Sequence, residues 1–274
     1  MPIRPARAAL PLLLSLLSLP VSARVIETPG ESVVTNITLK VEERDCAEAV
    51  DWLKYGLKQE YREVMLMAGT MYDHGICVRR DWARAVGFYT QAHAAGMRRS
   101  AERLAAGYAD PANGPDAAAA LWWAWKGEAF NVAQCGVGKD AANDPDRFVA
   151  ALSAWTPARL AYCTYAAGVV STISSELRYP DMAAAYAMGG EMHLRFLPGV
   201  PRIELQNSES REFAMVGIIN GNWKRDRDSK EIKLSIENAV RALAERALKR
   251  YPQPKGIPAD TVVDLAYTFE VIYK

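Results

Sequence analysis

The sequence has no excess of charge of either sign. Its 274 residues contain 33 Lys and Arg against 32 Asp and Glu, so the formal net charge is +1. A nearly neutral chain creates no broad electrostatic field that would gather nucleic acid or an anionic membrane surface. We therefore expect no nucleic-acid partner. The length is sufficient for two domains that each bury a core of their own.

Histidine is scarce, and the usual catalytic motifs are missing. The sequence contains only His74, His93 and His193, with no Gly-x-Ser-x-Gly, His-Glu-x-x-His or P-loop pattern. A single His without a partner base is more often structural than catalytic. The sequence thus predicts no catalytic residue and no cofactor. Because missing motifs do not exclude an enzyme, an enzyme or small-ligand binder acting in a crevice between the domains stays open as an alternative.

Long apolar runs are confined to the first residues of the chain. Arg4 and Arg7 precede an apolar core at 8–19, and Val21-Ser22-Ala23 forms a small-x-small pattern before Arg24. Such a leader is typical of a secretory signal peptide, and its core is short for a membrane-spanning helix. We expect cleavage after residue 23, a periplasmic location and no stable membrane insertion. A retained membrane anchor is the alternative.

Cysteine is also limited, to Cys46, Cys77, Cys135 and Cys163. An even number of cysteines in an exported chain predicts two disulfides. A structural metal site would need paired Cys or His ligands. His74 and Cys77 are the only close pair, so we expect no metal.

A repeated pattern occupies the first half of the chain. Asp81 follows Asp45 by 36 residues, and Asp116 follows Asp81 by 35. Each Asp is followed by Ala at the fourth position, Val or Leu at the fifth, and Trp or Phe at the seventh. Asp is a favourable N-cap, so each copy predicts a helix start. Further helices are predicted at 62–73 and 100–109, with Gly75 and Gly114 in the turns that follow. The repeating unit is therefore helix–turn–helix, and we expect a solenoid.

The central copy resembles a known repeat family. Met71, Tyr72, Gly75 and Asp81, followed by the residues Ala85, Phe88, Tyr89, Ala92 and Gly96, are similar to the Sel-like repeat, a bacterial relative of the tetratricopeptide repeat. The resemblance covers about 45–131, and its outer copies are degraded. It implies an adaptor whose concave face holds a peptide or protein.

The repeat register separates the tryptophans into two groups. Trp52, Phe88 and Trp123 occupy equivalent positions, which predicts that they belong to the core. Trp122 and Trp125 fall outside that register and are candidates for an exposed partner-binding stripe. The same stacking would bring Cys46 and Cys77 to one rim of the solenoid. We therefore expect the disulfides Cys46–Cys77 and Cys135–Cys163.

The pattern changes after residue 131. Helices are predicted at 144–154 and 157–172, followed by alternating strands at 191–196 and 202–205. A helix at 232–251 and a strand at 261–273 complete the chain.

This last succession resembles the C-terminal domain of the TonB energy transducers. The resemblance covers about 178–274 and rests on the order of its features. These are Tyr179-Pro180, Ala183, Gly190, the strand to Phe196, Ser208–Ser210 after the second strand, Ala239, Leu243, Tyr251-Pro252, Gly256-Ile257-Pro258 and the final strand.

The chain also departs from that family. A cleavable leader and helical repeats stand where a transducer has an anchor and a Pro-rich span. An additional segment, 211–230, reads as a solvated loop. Trp223 in this loop is a further candidate for partner binding.

The expected fold class is α+β, with an all-α solenoid followed by a small α+β TonB-like domain. The expected divisions are a signal peptide (1–23), an extended segment (24–44), Sel-like repeats (45–131), a helical connector (132–177) and the TonB-like domain (178–274). The predicted function is a non-enzymatic periplasmic adaptor that binds protein or peptide partners. An outer-membrane receptor or another envelope component is among the candidate partners. The alternative is a divergent energy transducer with a retained N-terminal anchor.

Overall fold

The computed structural model describes residues 28–127, 129–177, 188–212 and 225–269. The fold in these ranges is α+β, mostly helical with one small antiparallel sheet. The helices are α1 (Pro29–Glu42), α2 (Cys46–Lys58), α3 (Arg62–His74), α4 (Trp82–Ala94), α5 (Arg99–Ala109), α6 (Ala117–Lys126), α7 (Pro145–Ser153), α8 (Pro157–Glu176) and α9 (Arg225–Arg250). The strands are β1 (Met188–Leu197), β2 (Arg202–Glu212) and β3 (Val263–Phe269).

The segment before the first repeat is helical, so the expectation of an extended chain at 24–44 is wrong from residue 29 onward. Thr28 caps α1 through the backbone N–H of Glu31, whose side chain accepts in return from the backbone N–H of Thr28. Such a capping box fixes a helix start. Val33 and Ile37, one turn apart, are buried against α2 and α3. Helix α1 therefore packs against α2, although no helix was predicted before Asp45.

The three repeated Asp residues all cap helices, as the spacing predicted. Asp45, Asp81 and Asp116 each accept a hydrogen bond from the backbone N–H three residues later. The positions that are buried in all three copies are the fourth and eighth after each Asp. They are occupied by Ala49 and Leu53, Ala85 and Tyr89, and Ala120 and Ala124. The aromatic residues at the seventh position, Trp52, Phe88 and Trp123, are only half-buried.

The turn between α3 and α4 and the turn between α5 and α6 are each closed by an equivalent backbone hydrogen bond. The carbonyl of Tyr72 accepts from the N–H of Asp81, and that of Tyr108 accepts from the N–H of Asp116, both at 2.9 Å. Gly75 and Gly114 both have positive φ, at 69° and 76°, which a glycine adopts without strain. The two turns are thus built alike despite their different lengths.

Two disulfides join parts of the chain that are distant in sequence. Cys46 at the start of α2 is bonded to Cys77 in the turn after α3. Cys135 is bonded to Cys163 of α8, which ties the segment after the repeats to that helix. These are the two disulfides that were predicted from the sequence, Cys46–Cys77 from the stacking of the helix pairs and Cys135–Cys163 as the remaining pair.

Helix α8 lies at the centre of the molecule rather than forming a connector at its edge. Nearly every residue from 163 to 175 is buried, including Ala166, Val170 and Ile173. A helix that is apolar on all sides is expected to be covered on all sides. The buried side chains around α8 form one hydrophobic cluster, which includes residues of α5, α6, the sheet and α9.

The sheet has the order β2–β1–β3, with both pairs antiparallel. Met192, Leu194 and Phe196 alternate along the central strand β1 and are buried, and the ring of Phe196 contacts that of Tyr165 on α8. The strands and the following helix thus occur in the order that the sequence predicted, although their bounds differ.

Some expectations for the C-terminal part are corrected. Ser208 and Ser210 do not follow the second strand but pair within it, opposite Met192 and Gly190 of β1. Residues 225–230 of the expected solvated loop belong to α9. The predicted leader, Tyr179-Pro180 and Trp223 lie outside the described residues. No helix of the described part combines the length and apolar character needed to span a bilayer.

Candidate binding groove

A cavity with mostly charged walls lies where the helix pairs meet the C-terminal helix α9. It has a volume of about 430 Å³, within the range of ligand pockets. We call it the charged cavity. It is lined by Asp73, His74, Arg80, Asp110, Thr172, Glu176, Arg246 and Arg250.

The three carboxylates of this cavity lie at the C-terminal ends of three helices. Asp73 is in the last turn of α3, Asp110 caps the end of α5, and Glu176 is the last residue of α8. A helix C-terminus carries partial negative charge, so an acidic side chain there is unfavourable for the helix. The three helix ends and their carboxylates thus bring negative charge together, and Arg80, Arg246 and Arg250 of the same lining oppose it.

Arginine side chains neutralise two of the three carboxylates. Arg250 at the end of α9 donates to Asp110 Oδ2 at 2.7 Å, and its Nη1 lies 3.6 Å from Glu176 Oε1. Arg103 of α5 also donates to Glu176 Oε1, at 3.4 Å. Arg246 lies 3.9 Å from Glu176 Oε2, and its side chain is 63% exposed. Glu176 is therefore surrounded by three guanidinium groups.

Asp73 is bonded far more weakly. Its side chain is 3% exposed, and among the described residues Oδ1 has no hydrogen-bond partner. Oδ2 accepts one long hydrogen bond of 3.4 Å, from the hydroxyl of Tyr89. Arg80 forms no ion pair with this carboxylate among the described residues, since its Nε donates to the backbone carbonyl of Asp73 and its Nη2 to Asn113. A buried carboxylate without a full set of donors is costly.

His74 does not supply the missing charge. Burial lowers its pKa, and the positive charges of Arg103 and Arg250 act in the same direction, against the opposing effect of Asp73 and Glu176. Its Nε2 lies 3.5 Å from Nη1 of Arg103. Arginine can only donate, so this nitrogen accepts from Arg103 in the tautomer that carries its proton on Nδ1. The same Nε2 lies 3.8 Å from Oδ2 of Asp73, which is too far for a hydrogen bond.

A second cavity, which we call the mixed cavity, adjoins the first at Glu176. It has a volume of about 250 Å³, and its walls come from α1, α3, α5 and α8. The walls are Val34, Thr38, Glu63, Leu66, Met67, Thr70, Arg99, Arg103, Ser175 and Glu176. Its lining thus combines apolar, hydroxyl and charged side chains. We refer to the two cavities together as the groove.

The C-terminal part is fixed to the helices beside the groove by Tyr251. This residue follows α9, and its hydroxyl donates to the carbonyl of Ala106 at 2.9 Å. Thr172 of α8 lies 2.7 Å from the same oxygen, so its hydroxyl supplies the proton of that bond. The ring packs over Gly168, where a Cβ would come within 2.7 Å of it. Residue 168 must therefore be small.

The tryptophans proposed for partner binding are not an exposed stripe. Trp122 and Trp125 are half-buried like Trp123, so the register does not separate them. Trp122 packs edge-to-face on Phe148, with the Lys126 ammonium 4.6 Å from its ring centre. Trp125 donates through Nε1 to the carbonyl of Cys135 at 3.1 Å. Trp122 and Trp125 are half-buried because α6 is covered by three helices, α5, α7 and α8, and not by one neighbour only.

Of the residues that line the groove, the sequence pointed only to His74, as a histidine without a partner base. Their one local signal is the placement of Asp73, Asp110 and Glu176 at helix C-termini, where cations are preferred. In the described part of the chain, no group of three or more His, Cys, Asp or Glu is arranged to hold a metal ion. The chemistry that the lining offers is recognition of ions and of hydrogen-bonding groups.

No protein-family model matches this chain, and neither a curated protein nor a solved structure is significantly similar to it. The Sel-like and TonB-like resemblances therefore stay predictions from the sequence.

Proposed function

We propose that this protein is an exported adaptor that binds a segment of a protein partner in the groove, without catalysing a reaction. The observation that carries the proposal is the mixed cavity, to which α1, α3, α5 and α8 all contribute. Three of these are the first helices of successive helix pairs, and α8 follows them. In repeat proteins, surfaces assembled in this way hold extended segments of partners.

The composition of the mixed cavity suits a peptide. Val34, Leu66 and Met67 offer apolar contact for a side chain. The hydroxyls of Thr38 and Thr70 donate their protons to backbone carbonyls of their own helices and can accept hydrogen bonds from a ligand. Arg99 and Arg103 on one side and Glu63 on the other can orient a peptide backbone or its charged groups. Sites of this kind combine apolar walls with few polar groups that fix orientation.

The C-terminal part offers a second surface in this proposal. Its order of two strands, a helix and a strand agrees with the proposed TonB-like domain. Strand β3 is an outer strand that pairs only with β1 among the described residues. An extended peptide could add to such an edge through main-chain hydrogen bonds.

The proposed location is the periplasm, after removal of residues 1–23. Two disulfides, Cys46–Cys77 and Cys135–Cys163, are typical of a compartment that allows oxidation. Mass measurement of the protein isolated from periplasm should give an N-terminus at Arg24. Protein that keeps Met1 or Pro2 and stays with inner membranes after a high-salt wash would instead favour the energy transducer.

The function is tested by affinity purification of the tagged mature protein from periplasmic extract, followed by mass spectrometry. The groove variant is Met67→Arg, which places a charge in the mixed cavity. The matched control is Val149→Arg, because Val149 is an exposed apolar residue of α7 outside the groove. We expect at least one protein to be captured by the wild type and the control but not by Met67→Arg. An identical set from all three would show the proposal to be wrong.

A further inference from the structure

One carboxylate of the charged cavity, that of Asp73, forms no ion pair with a Lys or Arg among the described residues. Asp110 and Glu176 are each within reach of at least one arginine, whereas the carboxylate of Asp73 has a single long hydrogen bond, from Tyr89. Asp73 is also more than nine-tenths buried and belongs to the wall of the cavity. The C-terminal end of α3 adds to the negative potential at this point.

From this imbalance we infer that the charged cavity receives a basic side chain of the bound segment, whose ammonium or guanidinium group pairs with Asp73. The inference rests on the proposed binding function and specifies the chemistry of the partner. Lys and Arg are the residues that supply several N–H donors together with a positive charge. The cavity, at about 430 Å³, has room for either side chain.

Neighbouring groups favour a long basic side chain over a bare cation. Thr172 Oγ1 is held by Tyr251, and Arg80 and Arg250 are directed at Asn113 and Asp110. The lining therefore offers one unsatisfied carboxylate and not a ring of oxygen ligands. A charge at the end of an alkyl chain can reach Asp73, while the remainder of the segment lies in the adjoining mixed cavity, which shares Glu176.

The test uses the purified mature protein and peptides of defined charge. The probes are Ac-Ala-Ala-Arg-Ala-Ala-NH₂, its Lys analogue, its citrulline analogue and agmatine, titrated by isothermal calorimetry and by NMR shift mapping. Citrulline has nearly the shape of arginine but no charge. We expect the Arg or Lys peptide to bind at least roughly tenfold more tightly than the citrulline peptide.

The variant is Asp73→Asn, and its control is Asp51→Asn, which makes the same charge change at an exposed pair with Lys54. We expect Asp73→Asn to abolish the preference for the charged peptide and Asp51→Asn to retain it. Because the Asp73 carboxylate accepts only one long hydrogen bond from the described residues, we also expect Asp73→Asn to melt at the same temperature or higher. Equal binding of charged and citrulline peptides, or a melting temperature several degrees lower in Asp73→Asn, would overturn the inference.

The outcomes separate this inference from the proposed function. Partner capture that depends on Met67, combined with no preference for a charged probe, would keep the adaptor function and remove the role of Asp73. Tight binding of agmatine alone, lost in Asp73→Asn, with no captured protein, would retain the cation site and identify a free small molecule as its source.

Discussion

Arg250 Nε donates to Asp110 Oδ2 at 2.7 Å, which joins the last residue of α9 to the C-cap of α5 across 140 positions of sequence. Both side chains are largely buried. The other carboxylate oxygen of Asp110 accepts from the N–H of Ala112 and so fixes the turn after α5. One carboxylate thus holds both the local turn and the C-terminal helix.

We predict that Arg250→Ala strongly destabilises the protein. Removing one partner of a buried ion pair leaves the other charge uncompensated, which costs about 3–5 kcal/mol. Arg246→Ala is the matched control, since Arg246 is exposed and its ion pair with Glu176 is long, at 3.9 Å. An exposed pair of this kind contributes about 0–1 kcal/mol. Urea unfolding measures both free energies, and similar losses for the two variants would contradict the assignment of Arg250 as the anchor.

A second prediction compares two buried tyrosines. Tyr251→Phe removes the hydroxyl that bonds Ala106 and Thr172, so we expect a loss of about 1–3 kcal/mol in the free energy of unfolding. Tyr165→Phe removes a buried hydroxyl that has no partner among the described residues. We expect that change to be neutral or slightly stabilising. The same denaturation experiment checks the pair, and a destabilisation by Tyr165→Phe as large as that of Tyr251→Phe would contradict this account.

The helix starts could be predicted from the sequence because capping is local. Asp45, Asp81 and Asp116 each bond a backbone N–H three residues away, so their spacing alone carries the signal. Helix α1 was missed for lack of a matching Asp, although Thr28 and Glu31 form an equally local capping box. Trp52, Phe88 and Trp123, predicted to belong to the core, pack against it but are only half-buried. Their degree of burial could not be predicted, because tertiary packing completely buries small residues such as Ala49 and Ala85 instead.

The groove could not be predicted in the same way. Asp73, Asp110, Glu176 and Arg250 come from four helices, and nothing in their local sequence brings them together. The position of the tryptophans likewise depends on which helices cover α6. The repeat register gives the face that meets α5 but not the later packing of α7 and α8. Non-local contacts of this type leave no periodic signal.

A third prediction follows from the position of Trp125. We expect Trp125→Ala and Trp123→Ala to destabilise the protein to a comparable degree, by about 2–4 kcal/mol, because both rings are half-buried against the core. Trp125→Phe should cost about 1 kcal/mol, since it loses the bond to the carbonyl of Cys135 but keeps the contact with Phe130. Thermal melting of the three variants tests this. An unchanged melting temperature for Trp125→Ala would restore the interpretation of Trp125 as an exposed anchor.

The disulfides should differ in their resistance to reduction. Cys46 is exposed at the start of α2, whereas Cys135 and Cys163 are fully buried. A reductant must reach a sulfur atom to attack it, so we expect mild dithiothreitol to open Cys46–Cys77 first. Differential alkylation followed by peptide mapping would show labelled Cys46 and Cys77 while Cys135 and Cys163 are still protected. Earlier labelling of Cys163 would contradict the burial of that bond.

The last prediction concerns stability in mild acid. Burial lowers the pKa of His74, and burial together with the charge of Lys126 lowers that of His93. In the unfolded chain both residues titrate near the ordinary value of about 6.5, so the unfolded state takes up protons first as the pH falls. Stability from these two groups is therefore complete above about pH 6.5 and decreases as the pH falls below that value. We expect the free energy of unfolding to decline between about pH 6.5 and 5, before most carboxylates titrate.

His74→Gln should make this decline shallower, and adding His93→Gln should flatten it further. Urea denaturation across this range measures the slope, and an equally steep decline in the double variant would assign the acid sensitivity to other groups.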